Sequence, residues 1–305
     1  MTLTDSISHL VSVQTAIWDT ARHNHEALSS VLCRKVDIGG TTVAIQHNPA
    51  RAISSSACTD PKAIQSRPCF LCEENRPSMQ QSVRWNDYDI LLNPYPIFPG
   101  HLTIAARTHT PQNIIGRISD LISLVCETAG YTIFYNGPRC GASAPDHAHF
   151  QGVPSDYIPL WQELDSHTPA YSTPAADIYA LAAGTIVLSS HSPEETVNRF
   201  TWILSQLHEE STGTEPMVNI LCRYKNGIIT TAIIPRRRHR PENYTASFTD
   251  TGSVMISPGA IDVAGTVIAP RLHDYNNITA AQLRDIFGQV TYRAEEIFNI
   301  LKGIQ

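Results

Sequence analysis

The chain alternates between segments with the spacing of an amphipathic helix and shorter apolar runs typical of strands. From Ile7 to about Ser30 the apolar residues recur at helical intervals, which predicts one helix there. Further helices are predicted at 113–130, 193–210 and 277–303. Gly130 is expected to end the first of these three, because glycine readily adopts the left-handed conformation that closes a helix.

Strands are predicted where apolar runs flank a turn signal. Hairpins are expected in three segments, 31–48, 87–108 and 217–241. Single strands are expected at 131–137 and 147–153. The segment 48–68 is rich in serine, alanine and proline, and is therefore expected to be a surface loop.

The two parts of the chain resemble each other in this pattern. Residues 90–111 and 220–241 both read as strand, turn, strand, basic residue, histidine and proline. We interpret the match as a degenerate duplication, with one half at 1–190 and the second at 191–305. The order of helices and strands predicts the α+β class.

Composition narrows the class of protein. The 305 residues are 42% hydrophobic and 16% charged, as in ordinary globular proteins, and the net charge of −6 argues against a nucleic-acid partner. We expect no signal peptide and no membrane span, because no apolar run approaches the length of about 20 residues that a span needs. Seven cysteines, an odd number, argue against a disulfide framework and predict a reducing, cytoplasmic location.

The sequence PDHAHFQGVP places three polar side chains at alternate positions, namely His147, His149 and Gln151. Alternate side chains of a strand share a face, so these three are expected to project together while Ala148 and Phe150 enter the core. A solvated strand face is the plain alternative to a functional site.

A second candidate is the pair Cys69 and Cys72 in RPCFLCEENRP. A lone C-x-x-C can be a redox pair, two buried thiols or half of a metal site. The pair follows a serine-rich loop and does not open a helix after a strand, which favours a metal. Zinc takes four ligands, so two more must come from elsewhere in the chain, and histidines are the candidates.

Several of these motifs together resemble the transferase branch of the histidine-triad superfamily. PGHLTIAARTHTPQNI is similar to the superfamily's first signature, DHAHFQ to its H-x-H-x-Q strand, and CFLC followed by Asn75 to the zinc knuckle of galactose-1-phosphate uridylyltransferases. Diadenosine tetraphosphate phosphorylases and GDP-hexose phosphorylases are the other branches that share parts of the pattern. The resemblance implies a large antiparallel sheet with helices on one face, built from two pseudo-repeated halves of which the second completes the substrate site.

The resemblance also assigns roles to residues. It makes Cys69, Cys72, His109 and His147 ligands of a zinc cofactor and His149 the nucleophile, with Gln151 holding a phosphate oxygen. The glycine-containing loop before the strand is expected to bind phosphate through closely approaching backbone N–H groups. The residues assigned to nucleotide or phosphate binding are Asn136, Arg139, Gly141, Ser143, Arg236 and Arg238. For the loop at 136–146 the alternative is an ordinary turn, and for the cluster at 236–240 it is a solvated strand end.

The implied activity is transfer of a nucleoside monophosphate through a nucleotidyl-histidine intermediate. The donor would be a nucleotide sugar or a dinucleoside polyphosphate, and the acceptor a phosphate or a sugar phosphate. An amide at Gln151 binds phosphate but cannot act as an acid, which favours transfer over hydrolysis. A hydrolase, an inactive zinc-containing nucleotide-binding protein and a redox protein are the alternatives. Members of the superfamily are often dimers, so a homodimer is a further expectation.

Overall fold

The computed structural model describes residues 2–49, 64, 66–207 and 215–302. The strands are β1 (Leu32–Asp37), β2 (Thr42–His47), β3 (Ser82–Trp85), β4 (Tyr88–Leu92), β5 (Leu102–Ala106), β6 (Tyr131–Asn136), β7 (His149–Pro154), β8 (Tyr171–Ser172), β9 (Asp177–Ala180), β10 (Gly184–Ser190), β11 (Val218–Lys225), β12 (Ile228–Pro235) and β13 (Thr266–Ile268). The α-helices are α1 (Leu3–Ile17), α2 (Asp19–Glu26), α3 (Ile118–Glu127), α4 (Pro159–Ser166), α5 (Pro193–Leu207), α6 (Ala260–Val263), α7 (Leu272–Asn277), α8 (Ala280–Val290) and α9 (Ala294–Lys302).

A ten-stranded sheet forms the centre of the molecule, in the order β3-β4-β5-β7-β6-β11-β12-β10-β9-β8. Every neighbouring pair in it is antiparallel. A smaller sheet has the order β1-β2-β13, in which β13 is parallel to β2. The α+β class with a large antiparallel sheet is therefore confirmed.

The sheet contains two sets of five strands with the same order. In each set a three-stranded meander leads into a helix and then a hairpin, whose last strand pairs with the third strand of the meander. The sets, β3 to β7 and β8 to β12, join where β6 pairs with β11. The predicted division into two related halves stays a prediction, which this order supports.

This order corrects two details of the predicted duplication. The hairpin β11–β12 occupies the position of β6–β7, whereas the predicted match of residues 90–111 with 220–241 aligns it with β4–β5. The two sets are separated between Pro154 and Tyr171, so the predicted boundary at residue 190 would place β8, β9 and β10 with the first set.

Apolar side chains cover both faces of the large sheet. One face packs against α1, α3, α5 and α9 through residues such as Ile7, Leu121, Phe200 and Ile297. The other face packs against the small sheet and α4, α6 and α8, with Phe134 of β6 at its centre. Helices on one face were expected, whereas the second face carries helices as well as the small sheet.

Several predicted elements are confirmed and others are divided. The hairpins at 31–48, 87–108 and 217–241 are present. The predicted first helix breaks at Trp18, and the predicted last helix breaks after Val290. Breaking the helices there lets Trp18 pack against Leu92 and lets the backbone of Tyr292 bond to Gly184 of β10. Most of the expected loop at 48–68 and the end of the helix expected at 193–210 lie outside the described residues.

Candidate functional site

Four side chains predicted as metal ligands meet at one point beside β5 and β7. The ligand atoms of Cys69, Cys72, His109 and His147 all lie within 4.8 Å of one another, so the group could hold a metal ion. Nε2 of His147 lies 2.7 Å from the Ala106 carbonyl oxygen and must donate to it. The Nδ1 lone pair of His147 therefore points to the two thiols, as a metal-binding imidazole requires.

The spacing of these four atoms fits a tetrahedral ion. The Cys69 and Cys72 sulfurs lie 3.3 and 3.6 Å from Nδ1 of His147, and the two imidazole Nδ1 atoms lie 3.2 Å apart. Bond lengths of about 2.3 Å to sulfur and about 2.05 Å to nitrogen place tetrahedral neighbours about 3.6 and about 3.3 Å apart. These distances are compatible with one metal ion held by the four residues.

The loop that carries the cysteines is held by its own polar residues. Asn75 donates to the Cys69 carbonyl at 3.0 Å and Arg76 to the Leu71 carbonyl at 2.9 Å. Loss of solvation, with Cys69 beside it, raises the pKa of the Cys72 thiol to about 11. A divalent cation between the two sulfurs and the two imidazoles would favour thiolates.

His149 is the first residue of β7, and one ring nitrogen is fixed by the backbone. Its Nδ1 lies 2.8 Å from the His147 carbonyl oxygen, so Nδ1 carries the proton. Burial lowers the pKa of His149 to about 4, which keeps the imidazole neutral at neutral pH. The Nε2 atom then has a free lone pair, and the side chain lines a cavity of about 700 Å³. A cavity of this size falls within the range of small-molecule sites.

The floor of this cavity is a row of side chains that crosses four strands. Leu91, Thr103, Gln151 and Phe134 are direct neighbours in register from β4 to β6, and all four line the cavity. His149 shares the face of Gln151, as the alternation predicts. His147 precedes the strand, in the turn, so the observed strand begins two residues later than predicted.

The loop before β7 and the segment around α6 form one wall of the cavity. Asn136 accepts hydrogen bonds from Asn219 Nδ2 at 2.9 Å and from the Ala260 N–H at 2.7 Å. Gly141 has a φ of +100°, and a Cβ there would lie 2.9 Å from the Cα of Gly259. Asn136, Gly141 and Ser143 all line the cavity, together with part of the segment 257–271 that sequence reasoning left without a role.

The three arginines proposed for phosphate binding do not line the cavity. Arg139 is exposed and donates to the Glu215 carbonyl at 3.2 Å, and Arg238 pairs with Glu242 at 2.9 Å. Arg236 is buried, and its guanidinium donates to Asn219 and to backbone carbonyls, among them those of Pro258 and Val290. The donors of Arg236 are thus occupied by the fold itself, and the assignment of phosphate binding to the three arginines stays a prediction.

Two other arginines, Arg67 and Arg240, do line the cavity. Arg67 donates to the Ser143 carbonyl and pairs with Asp146 at 3.3 Å. Arg240 donates to the Ser257 hydroxyl at 2.9 Å, beside His239. Arg240 belongs to the basic cluster that the sequence singled out, but which member of the cluster faces inward depends on the path of the chain after β12.

One family model matches part of the chain. A family model described as a domain of unknown function, DUF4922, matches residues 10–154, slightly less than half of the chain. The search of curated proteins finds no match.

Solved structures of a yeast enzyme are similar over almost the whole chain. Yeast Ap4A phosphorylase Apa2 in complex with AMP is 16% identical, with a TM-score of 0.63 over 96% of this chain and 98% of that one. The same enzyme in complex with Ap4A is 14% identical, with a TM-score of 0.57 over 90% and 97% of the two chains. The likeness shows the fold. This fold agrees with the predicted α+β class and its large antiparallel sheet.

Proposed function

We propose that the protein is a nucleotidyltransferase that cleaves dinucleoside polyphosphates with phosphate, through a nucleotidyl intermediate on His149. The observation that carries the proposal is the geometry of that histidine. Its Nδ1–H is committed to the His147 carbonyl at 2.8 Å, while Nε2 faces a large cavity next to the amide of Gln151. A neutral imidazole held in one tautomer is a ready nucleophile. The similarity in fold to an Ap4A phosphorylase supports this class of donor.

In the first step Nε2 of His149 attacks the α-phosphorus of the donor. A phosphorus–nitrogen bond forms, the bond to the bridging oxygen breaks, and its electron pair leaves with the nucleoside polyphosphate. Nδ1 keeps its proton and its hydrogen bond to the His147 carbonyl, which stabilises the positive charge on the ring. In the second step an oxygen of inorganic phosphate attacks the same phosphorus, which releases a nucleoside diphosphate and returns the imidazole to its neutral form.

Gln151 supports transfer to phosphate over hydrolysis. Its Oε1 accepts a hydrogen bond from His101 Nε2 at 3.0 Å, so the amide NH₂ group is free to donate to a phosphate oxygen. An amide does not protonate a leaving group. Gly141 and Ser143 bring backbone groups of the preceding loop to the same cavity.

We propose zinc as the ion of the four-residue site, held by Cys69, Cys72, His109 and His147. A bound zinc ion would crosslink the cysteine loop to the turn before β7 and so add stability. Because His147 is a ligand and its carbonyl orients His149, the site would also fix the nucleophile. Both thiols face imidazoles, and this supports a metal site over a redox pair.

Product analysis tests the proposed reaction. The protein is mixed with Ap4A, UDP-glucose or GDP-mannose, each with and without inorganic phosphate, and the nucleotides are separated by anion exchange. The proposal expects ADP and ATP from Ap4A, only with phosphate, and no product from a His149→Ala variant. A His239→Ala variant, which alters the cavity's other histidine, is expected to retain the reaction. Release of AMP and ATP without phosphate would identify a hydrolase. Turnover of a nucleotide sugar but not of Ap4A would show that the donor is a nucleotide sugar.

A further inference from the structure

The side chain of Gln112 lies between β6 and β7 at the end nearest the cavity. It is 3% exposed. Its Oε1 accepts a hydrogen bond from the His149 N–H at 2.8 Å. Its Nε2 donates to the carbonyl oxygens of Asn136 and His149, each at 3.0 Å. One amide therefore satisfies three buried backbone groups, two of which belong to His149.

These hydrogen bonds take the place of a backbone pairing between β6 and β7. The register of β6 with β7 ends at Phe134 opposite Gln151, and continuing it would bring Asn136 opposite His149. β6 itself continues to Asn136 as the partner of β11. The two strands therefore separate where the Gln112 amide enters, and His149 lies at the opening.

The backbone of Gln112 is anchored to the same turn that carries the metal ligand His147. The Gln112 N–H donates to the Pro145 carbonyl at 3.0 Å, and the Thr110 carbonyl accepts from the Ala148 N–H at 2.7 Å. Residues 110–112 thus run alongside residues 145–148 with bonds at both ends. The amide has little freedom to move, so it fixes the position of whatever it holds.

We infer that Gln112 is a positioning residue that sets the place of the His149 ring for attack on phosphorus. The inference rests on the proposed function, and it extends the nucleophile's support beyond the histidine-triad motif. Without the amide, the His149 N–H and carbonyl can pair directly with Asn136, which moves the start of β7 toward β6. A displacement of about 1 Å at a nucleophile can slow a reaction about 100-fold.

The test compares Gln112→Met, which keeps the length and loses all three bonds, with Gln112→Glu, which keeps the acceptor for the His149 N–H. Gln14→Met is the matched control, because Gln14 is also a buried amide that bridges backbone groups, those of Met79 and Gln81, away from the cavity. Rates of nucleotidyl-adduct formation on mixing with Ap4A are measured by rapid quench and intact mass. We expect a loss of about 100-fold in Gln112→Met, a smaller loss in Gln112→Glu and a change of less than about 2-fold in Gln14→Met. The KM for Ap4A is expected to stay within about 3-fold throughout, because the binding surfaces are intact.

A second readout separates this inference from the proposed reaction. Two-dimensional NMR of ¹⁵N-labelled histidines reports which nitrogen of His149 carries the proton, with or without a substrate. We expect the Nδ1–H form in the wild type and in Gln14→Met, and a mixture of forms in the Gln112 variants. If the wild type forms no adduct but the Gln112 variants still show the mixture of forms, the proposed reaction is refuted and the positioning role of Gln112 is retained. An unchanged tautomer with wild-type adduct formation in Gln112→Glu or Gln112→Met would overturn the inference.

Discussion

His101 donates from Nε2 to Oε1 of Gln151 at 3.0 Å, while its Nδ1 accepts a hydrogen bond from the Ile97 N–H at 3.2 Å. The His101 ring is fully buried and stacks on Phe134. This contact gives the Gln151 amide one orientation, with its NH₂ group away from His101. His101 is thus connected to a predicted site residue.

Replacing His101 by phenylalanine is expected to slow the reaction with Ap4A by about 10-fold. The ring keeps its stacking on Phe134, but Oε1 of Gln151 loses its donor and the amide can turn its oxygen to the phosphate. Steady-state kinetics should show a higher KM for phosphate or donor, or a lower kcat. His25→Phe, in α2 and outside the cavity lining, is the control. Unchanged kinetics in His101→Phe would show that the amide needs no partner to hold its orientation.

Removing one metal ligand is expected to remove the metal and much of the stability. Elemental analysis of the purified protein should give one zinc per chain, and Cys72→Ser should reduce this content severalfold. Because metal binding contributes folding energy, the free energy of unfolding should fall by about 3 kcal/mol or more. Cys33→Ser changes an exposed cysteine outside the group and should alter neither value. Full stability without any bound metal would contradict the proposed structural role.

Gly141→Ala is expected to reduce activity by about 10-fold or more, because the added Cβ meets Gly259 at 2.9 Å and a φ of +100° is strained for alanine. The two segments that form one wall of the cavity would move apart. Gly116→Ala is the control, because it introduces the same backbone strain, at a φ of +85°, without a steric contact of the added Cβ. The control should lose about 1 kcal/mol of stability and keep full activity. Equal activity in both variants would show that the close approach at Gly141 is unimportant.

Glu215 is expected to make the protein less stable as the pH rises from 4.5 to 7. Burial raises the pKa of this carboxyl from 4.5 to about 7, although it accepts hydrogen bonds from the Ile114 N–H and the Tyr135 hydroxyl. Since the folded pKa lies above the unfolded one, its contribution is complete below pH 4.5 and is lost as the pH passes through about 7. The total is roughly 3 kcal/mol. Arg139 is the charged group that acts on this carboxyl, and the Cys140 thiol is a titratable neighbour.

Urea unfolding at about pH 5 and about pH 8 measures this slope. Glu215→Gln should flatten the difference between the two pH values, while the exposed Glu194→Gln should leave it unchanged. A wild-type and Glu215→Gln pair with the same dependence on pH would show that the carboxyl is charged throughout.

Local chemistry was readable from the sequence through short spacings and through the family resemblance. Alternation along β7 put His149 and Gln151 on one face, and the short C-x-x-C loop with the histidine-triad pattern indicated which ligands meet. The hairpins were readable for the same reason, since their signals are apolar runs flanking turn residues.

The rest depends on partners that are distant in the chain. Gln112 acts on backbone groups of β6 and β7, which carry no side-chain signature. In the sequence Arg236 resembles a ligand-binding cation, but in the structure its guanidinium donates to the carbonyls of Pro258 and Val290. The strands β8 to β10 lie in segments with weak alternation. Their order in the sheet, and not their sequence, relates them to β3, β4 and β5.

The account depends most on a covalent bond at His149, and intact mass spectrometry after brief mixing with Ap4A without phosphate tests it directly. We predict an added mass of one AMP, mapped to His149, absent in His149→Ala, present in His239→Ala and discharged as ADP when phosphate is added. An adduct elsewhere, or no adduct in zinc-replete protein that nevertheless turns over Ap4A, would contradict the nucleotidyl-histidine mechanism.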